Sequence, residues 1–545
     1  MRTFGGFRHR DFVLIWTANT IALIGIATFD AACAWLMTSL NPDPFMVSLV
    51  QTAIVLPMFL LTLMGGAIAD VVNPRRFLIV NTLFIALFVA TFATILSAKL
   101  ATPATLLATI FVLSGAWALN APAWLALIPS LVPQEELDSA TAASGFGYNI
   151  SRLLGPSAFS LAIAYFGVSA PFWLFCGCNV VVIAVLVAWR PPQRPDARLP
   201  PERVLSAIRI GVCHAVHNRR LRATLARAAA FFLFASASSA LLPLVARHAL
   251  GRPEFYGAML SVVALGAVVG SLTFVSLRRP FGLDPVVVLG MVLMSAALFL
   301  FGSSHSVIVL LAASVVAGFA GIIVLASLYV SAQQILPNWV RARGLAILLT
   351  VVFGSASLGS AGWGKLASAS DPSNALFVAA AGALLTIPLT SRWRLEAAAD
   401  VDLRPSLHWR KMNLARKVDD DEGPFLVAVE YRVNPADRAS FLEAIEEMGR
   451  ERRRDGATRW GVFEDVEDDG RYVEIFSLES WLDLRRLRER VTKADREVEQ
   501  RIEAMLGEPR RVRFHVAPPH KPRSPIVEAT TIQAVMSTLR RRSRP

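Results

Sequence analysis

Residues 45–76 read FMVSLVQTAIVLPMFLLTLMGGAIADVVNPRR. The stretch 45–69 carries no charge, and Asp70 and the pair Arg75-Arg76 follow at once. About 20 apolar residues in helical form cross a hydrocarbon core. A helix suits that medium because its backbone N–H and C=O groups bond one another where water is absent. Working outward, comparable stretches lie near 12–38, 77–98, 104–126, 139–164, 171–189, 224–246, 255–277, 284–302, 306–330, 344–366 and 374–391. The pattern predicts an all-α membrane protein with twelve spans. The 545 residues are 54% hydrophobic and 17% charged, against roughly 25% charged in soluble chains. One soluble domain and a disordered chain are both excluded. The first span is too long for a signal-peptide core and lacks a clear small-residue cleavage site.

Charge fixes the expected orientation. Residues 1–394 hold 25 Lys and Arg against 12 Asp and Glu, whereas 395–545 hold 29 of each. The net +13 therefore lies in the apolar part, where excess Lys and Arg mark cytoplasmic loops. Counted over the inner and outer segments, span ends included, 20 basic residues fall on the side that carries the N-terminus and 4 on the other. That bias predicts a multi-pass plasma (inner) membrane protein with both termini cytoplasmic, and a nucleic-acid partner is not needed to explain the charge. The Arg-rich loop 190–223 divides the spans six and six. Gly66, Arg75, Pro133 and Gly155 recur 204 residues later as Gly270, Arg279, Pro337 and Gly359. A duplicated plan suits a carrier whose halves rock about a site near the bilayer midplane. The expected parts are 1–189 and 224–394 as six-helix halves, 190–223 as their linker, 395–422 as a second linker, 423–517 as a small cytoplasmic domain and 518–545 as a disordered basic tail.

The turn Gly65-Gly66-Ala67-Ile68-Ala69-Asp70-Val71-Val72-Asn73-Pro74-Arg75-Arg76 resembles the cytoplasmic signature of the major facilitator superfamily. Asn149-Ile150-Ser151-Arg152-Leu153-Leu154-Gly155-Pro156 resembles the antiporter signature of its efflux members. Val71 and Asn73, and Phe159 and Ser160, depart from those patterns. Trp35-Leu36-Met37, Pro122-Ala123-Trp124, Leu131-Val132-Pro133, Arg453-Arg454-Asp455-Gly456-Ala457, Glu479-Ser480-Trp481 and Ala494-Asp495-Arg496 look like the transmembrane secretion effector branch, near siderophore exporters of the enterobactin type. The resemblance implies proton-coupled export of a small molecule. It implies gating roles for Gly66, Asp70, Arg75, Arg76, Gly155 and Pro156, with Asp70 facing a helix start near Arg343 and Gly344.

Two ionisable residues stand out well inside predicted spans, Asp30 and Arg152. Each costs at least ~2.5 kcal/mol at a membrane centre and so marks function by default. They are expected to line the central cavity and to sense one another, coupling protons to transport; a fixed structural pair, or each satisfied by backbone or water, are the other readings. Asn19 and Asn149 share their helices and join them as cavity candidates. The substrate class stays open between an anionic, siderophore-like compound and an apolar drug. Cys213, His214 and His217 crowd one stretch without any zinc-ligand spacing, so a helix over 201–221 on the membrane surface is expected there, and no metal or cofactor.

Beyond Gly423 the pattern turns soluble. Strands are predicted at 425–431, 462–466, 472–478 and 511–516, with helices at 435–453 and 480–506, a β-α-β-β-α-β order of ferredoxin type. The region resembles antibiotic-biosynthesis monooxygenase domains. That resemblance implies, as the alternative function, a carrier fused to a cofactor-independent oxidising enzyme. Against it stand Trp460 and Trp481, which read as core. A regulatory or dimerising role is preferred, with a homodimer through this domain and contact of Arg540-Arg541-Arg542 with anionic lipid as further expectations.

Overall fold

The computed structural model describes residues 5–71, 73–128, 131–133, 136–189, 204–395, 406, 408, 418–419 and 422–517, with the side chains of 5–6, 63–71, 125–126, 138, 204–210, 338 and 488–489 outside the description. The basic tail 518–545 and most of the linker 395–422 lie outside the described residues. The chain divides into two compact units. One holds Met1–Ile208, Arg220–Ile335 and Arg341–Ala397; the other holds Arg209–Arg219, Leu336–Val340 and Ala398–Pro545.

The first unit is helical. A first set comprises α1 (Arg10–Leu40), α2 (Pro44–Val71), α3 (Pro74–Ser97), α4 (Pro103–Leu127), α5 (Leu137–Phe166) and α6 (Ala170–Ala188). The short α7 (Val204–His217) intervenes. A second set comprises α8 (Arg219–Ala249), α9 (Pro253–Phe281), α10 (Leu283–Ser303), α11 (Val307–Ile335), α12 (Asn338–Ala369) and α13 (Pro372–Thr390). Eleven helices among the described residues are long and apolar enough to cross a membrane. The twelfth expected span, α5, has 30 residues but is not among them. Ser144, Asn149, Ser151 and Arg152 lower its hydropathy, so the polar groups expected at a transport path concentrate in one helix.

Helix starts follow a repeated device. Asn73 accepts from the N–H groups of Arg75 and Arg76 ahead of Pro74. Thr102 and Thr105 form a capping box ahead of Pro103, and Asp371 caps the N–H of Ser373 ahead of Pro372. A cap satisfies an orphan donor for about 1 kcal/mol, and proline at the first helical position loses no bond.

Packing among the helices rests on small residues, because lipid leaves little hydrophobic drive between them. In the second set, a Cβ on Gly266 would collide with the Val315 carbonyl, and one on Gly318 with the Val263 carbonyl. Helices α9 and α11 thus touch backbone to backbone, reciprocally. The 204-residue offset also lands on matching crossings. Gly155 of α5 presses on Ala27 and the Ile24 carbonyl of α1, while Gly359 of α12 presses on Ser236 and the Leu233 carbonyl of α8.

The second unit contains a four-stranded antiparallel sheet in the order β2-β3-β1-β4. Its strands are β1 (Phe425–Val433), β2 (Arg459–Glu464), β3 (Arg471–Leu478) and β4 (Leu506–Val516). Helices α14 (Arg438–Arg454), α15 (Trp481–Arg490) and α16 (Lys493–Ala504) accompany it. The ferredoxin-type order stands. Several boundaries differ from expectation. β2 begins at Arg459 rather than Val462, β4 begins at Leu506 rather than Arg511, and the second helical region breaks in two, because Thr492 and Asp495 form a capping box that starts α16 anew. Alternate residues Phe425, Val427, Val429, Tyr431 and Val433 meet Phe441, Ile445, Met448, Leu484, Leu487 and Ile502 in one core. Trp481 belongs to that core and Trp460 packs against it.

Candidate functional site

The α1–α5 seam sets the geometry of the candidate transport residues. Trp16 Nε1 donates to the Ala143 carbonyl at 2.8 Å and Thr28 Oγ1 to the Gly155 carbonyl at 3.0 Å, both at a separation of 127 residues. Thr28 and Phe29 are fully buried at this seam. Asp30 follows them, half-buried, and makes no hydrogen bond or ion pair among the described residues. It lies within electrostatic reach of Tyr256 of α9 and Cys33. The Tyr256 ring stacks on Trp35 at 5.9 Å and meets Phe159 edge-on at 6.2 Å. An aromatic cluster drawn from both helix sets is thus centred on Tyr256, the ring within electrostatic reach of the carboxylate.

Arg152 is exposed, with its guanidinium 6.0 Å from the Tyr148 ring centre one turn away. Tyr148 is in turn within electrostatic reach of Tyr329 on α11, so this face of α5 turns toward the second set. The structure does not join Arg152 to Asp30. Register 127 puts Arg152 level with Gly25, five residues or about 7.5 Å along the axis from Asp30. Asn19 is half-buried on α1, and Asn149 spends its amide on the Gly145 carbonyl of its own helix at 3.0 Å. Pro156 is buried beside Gly155, and its carbonyl accepts from Ser160 Oγ at 3.0 Å.

Of the expected gating residues, Gly66 and Asp70 lie in the part of α2 whose side chains are outside the description. Arg75 donates to the Leu186 and Val187 carbonyls at 2.8 and 2.9 Å, satisfying the end of α6. Such a bond ties two helices of one set and suits the negative end of a helix. Arg76 is exposed.

Contacts between the two sets that the sequence did not signal gather at the bundle end far from residue 10. Arg247, at the end of α8, donates to the carbonyl and hydroxyl of Thr38 at the end of α1. Ser368 of α12 donates to Asp43 at 2.5 Å. Nearer the middle, Ser157 and Ser261 share a hydrogen bond of 3.1 Å, and Ser261 reaches the Leu153 carbonyl at 3.2 Å. Lone polar residues at helix ends carry no spacing pattern, which is why reading the chain alone passed over them.

This is a bundle of apolar helices with a free carboxylate at the crossing of two sets, and the sequence comparison agrees: a family described as transmembrane secretion effector matches residues 1–518. The chain belongs to the transmembrane secretion effector family. It is a membrane transporter of the major facilitator type. Multidrug efflux pump Tap of Mycolicibacterium fortuitum is 25% identical over 375 residues, covering 66% of this chain and 90% of that protein. A solved point mutant of the nucleoside transporter NupG superposes with a TM-score of 0.61 at 12% identity, over 70% of this chain and 100% of that one. A POT family transporter in complex with 5-aminolevulinic acid gives 0.58 at 12% identity, over 71% and 96%. At such identities the solved structures show the fold.

The second unit holds a different polar assembly. Glu474, fully buried, accepts from Tyr431 at 2.7 Å and from Trp460 Nε1 at 2.9 Å, with Arg452 Nε at 3.5 Å. Arg452 continues to Glu499 at 3.0 Å, and Glu499 also accepts from His408 at 2.6 Å and Arg510 at 3.1 Å. Burial opposes ionisation of Glu499, yet the His408 bond and the two guanidinium groups hold its carboxyl well below the usual range. Burial and the neighbouring Glu474 push the Tyr431 phenol up. In both carboxylates each oxygen is engaged by a partner. His214, expected on a membrane-surface helix, is instead buried in this unit.

Proposed function

We propose that this transporter exports a small molecule in exchange for protons, by alternating access across the plasma membrane with both termini cytoplasmic. One observation carries the reading: Asp30 is an unpartnered carboxylate, among the described residues, at the crossing of the two helix sets and beside Tyr256. A lone charge in low dielectric is costly, so gaining and losing a proton there changes the energy of each packing state. Protonated, Asp30 is compatible with a closed, dry crossing; ionised, it favours a crossing open to water. Loading from one side and release to the other then follow the proton gradient.

Arg152 and Tyr148 give the α5 face a cation and a ring for an anionic or aromatic substrate, of siderophore or drug type. The similarity to Tap, a multidrug efflux pump, supports a drug-like cargo. The Arg247–Thr38 and Asp43–Ser368 contacts serve in this reading as the outer gate. Asp70, which the family resemblance sets against the start of α12, serves in this reading as the inner gate, with Arg75 and Arg76 at the adjoining helix start. The engaged carboxylates of the tail domain favour a binding or regulatory role for it over catalysis.

Asp30→Asn, reconstituted in liposomes with ethidium as cargo, is expected to lose flux driven by an imposed pH gradient while eluting as the folded protein. Undiminished pH-driven ethidium flux in that variant overturns the reading.

A further inference from the structure

The second unit includes two short stretches outside the tail domain's own sequence, Arg209–Arg219 and Leu336–Val340. Both are placed by named contacts inside that unit. His214, 1% exposed, meets the Trp339 ring edge to face at 5.7 Å. The Arg490 guanidinium lies over the same Trp339 ring, 4.5 Å from its centre. Arg490 is itself fixed. It is 4% exposed, and its NH1 donates to the Asp455 carbonyl at 3.0 Å. Arg454 adjoins it, bridging Asp455 and Asp495 at 2.9 Å each. A guanidinium stacked on indole is among the stronger ring–cation contacts, more so when desolvated.

Chain connectivity gives these contacts leverage. Trp339 is the second residue of α12. His214 lies in the last turn of α7, which ends two residues before α8 begins. Among the described residues, the ring nitrogens of His214 and the indole N–H of Trp339 have no hydrogen-bond partner. Shape and ring contact, rather than a polar network, hold the three together, so the arrangement is reversible.

We propose that His214, Trp339 and Arg490 form a clasp by which the tail domain holds the first turn of α12 and brakes transport. The proposal rests on the inner-gate reading above, in which the start of α12 near Arg343 and Gly344 must move for the cytoplasmic end to close. With Trp339 gripped, that first turn is kept from moving. Release of the ring, by a change in the tail domain, frees it.

The test uses the full-length chain in lipid nanodiscs, with Arg490→Ala and Trp339→Ala made separately and together. Backbone hydrogen exchange at residues 336–340 reads the clasp. Spin labels at Arg76→Cys and Arg279→Cys, with the four native cysteines replaced by Ser, read separation of the two sets at that end. Arg490→Ala is expected to speed exchange at 336–340 about tenfold and to shift the label distances toward shorter values. The double variant should add little to either single one, and Arg490→Lys, which stacks less well, should fall between. Unchanged exchange at 336–340 in Arg490→Ala overturns the clasp. Faster exchange with unaltered label distances overturns the brake. Should the parent chain show one label distance at every pH while exchange still responds, the inner-gate reading fails and the brake fails with it, but the clasp stands.

Discussion

Two carboxylates, one enclosed and one half-buried, stand in opposite settings. Glu474 in the tail domain is wholly enclosed and has a partner on each oxygen, Tyr431 on one and Trp460 on the other. Asp30 at the α1–α5 seam is half-buried and has none among the described residues. The first is locked in a single state by its neighbours. The second has no hydrogen bond among the described residues that a change of charge would break. In the proposed mechanism, satisfaction of hydrogen bonds separates a structural charge from a working one, and burial alone would rank them the wrong way round.

If that contrast is right, removing each carboxylate should damage a different property. Asp30→Asn should lower proton-driven flux at least about a hundredfold, the scale of losing an acid–base group, and leave the thermal midpoint unmoved. Glu474→Ala should do the reverse. It strands Tyr431 and Trp460, takes one of its carboxylates from buried Arg452, and should destabilise the tail domain by roughly 3–5 kcal/mol, read by hydrogen exchange on β1 and β3, with flux retained. A reversal of either outcome would break the comparison.

A finer test uses pH. Burial first, then Arg454, lowers the His214 pKa from 6.5 to about 3. The folded ring is neutral, so its contribution is complete above pH 6.5 and is lost as pH falls from there toward 3. Burial first, then Asp495, raises the Glu451 carboxyl to about 9. Its contribution is complete below about 4.5 and is lost as pH rises toward 9, so the two slopes oppose between 4.5 and 6.5. His214→Phe should remove only the first, changing the opening equilibrium of the second unit by at most about tenfold per pH unit below 6.5. Parallel pH profiles for the two proteins would refute this assignment. Smallest of all, Arg247→Ala should weaken the contact with Thr38 by about 1 kcal/mol. Spin labels across the far end of the bundle should then show its open population rise about fivefold.

Much of this architecture was legible in the chain itself. Uncharged runs such as 45–69 announce helices, and Asn73-Pro74 and Asp371-Pro372 announce where they start. In the tail, the order of alternating runs sufficed for the topology. Boundaries slipped where a local signal was weak. Gly461 hides the strand character of Arg459–Glu464, and the Thr492–Asp495 capping box was read as helix interior. Tertiary register was not legible at all. Asp30 and Arg152 look like a pair on two helices, yet Gly155 pressing on Ala27 fixes an offset that leaves them level with different neighbours. The burial of His214 likewise depends on Trp339, more than a hundred residues away.

The reciprocal bare crossing of Gly266 and Gly318 has a mechanical consequence. Where carbonyls of α9 and α11 rest directly against opposing backbone, no side chain remains to rearrange and absorb a slide. Those helices must travel as one stiff plate. Motion is passed instead to joints lined by hydroxyls, such as Ser157 against Ser261, where one bond is readily traded for another.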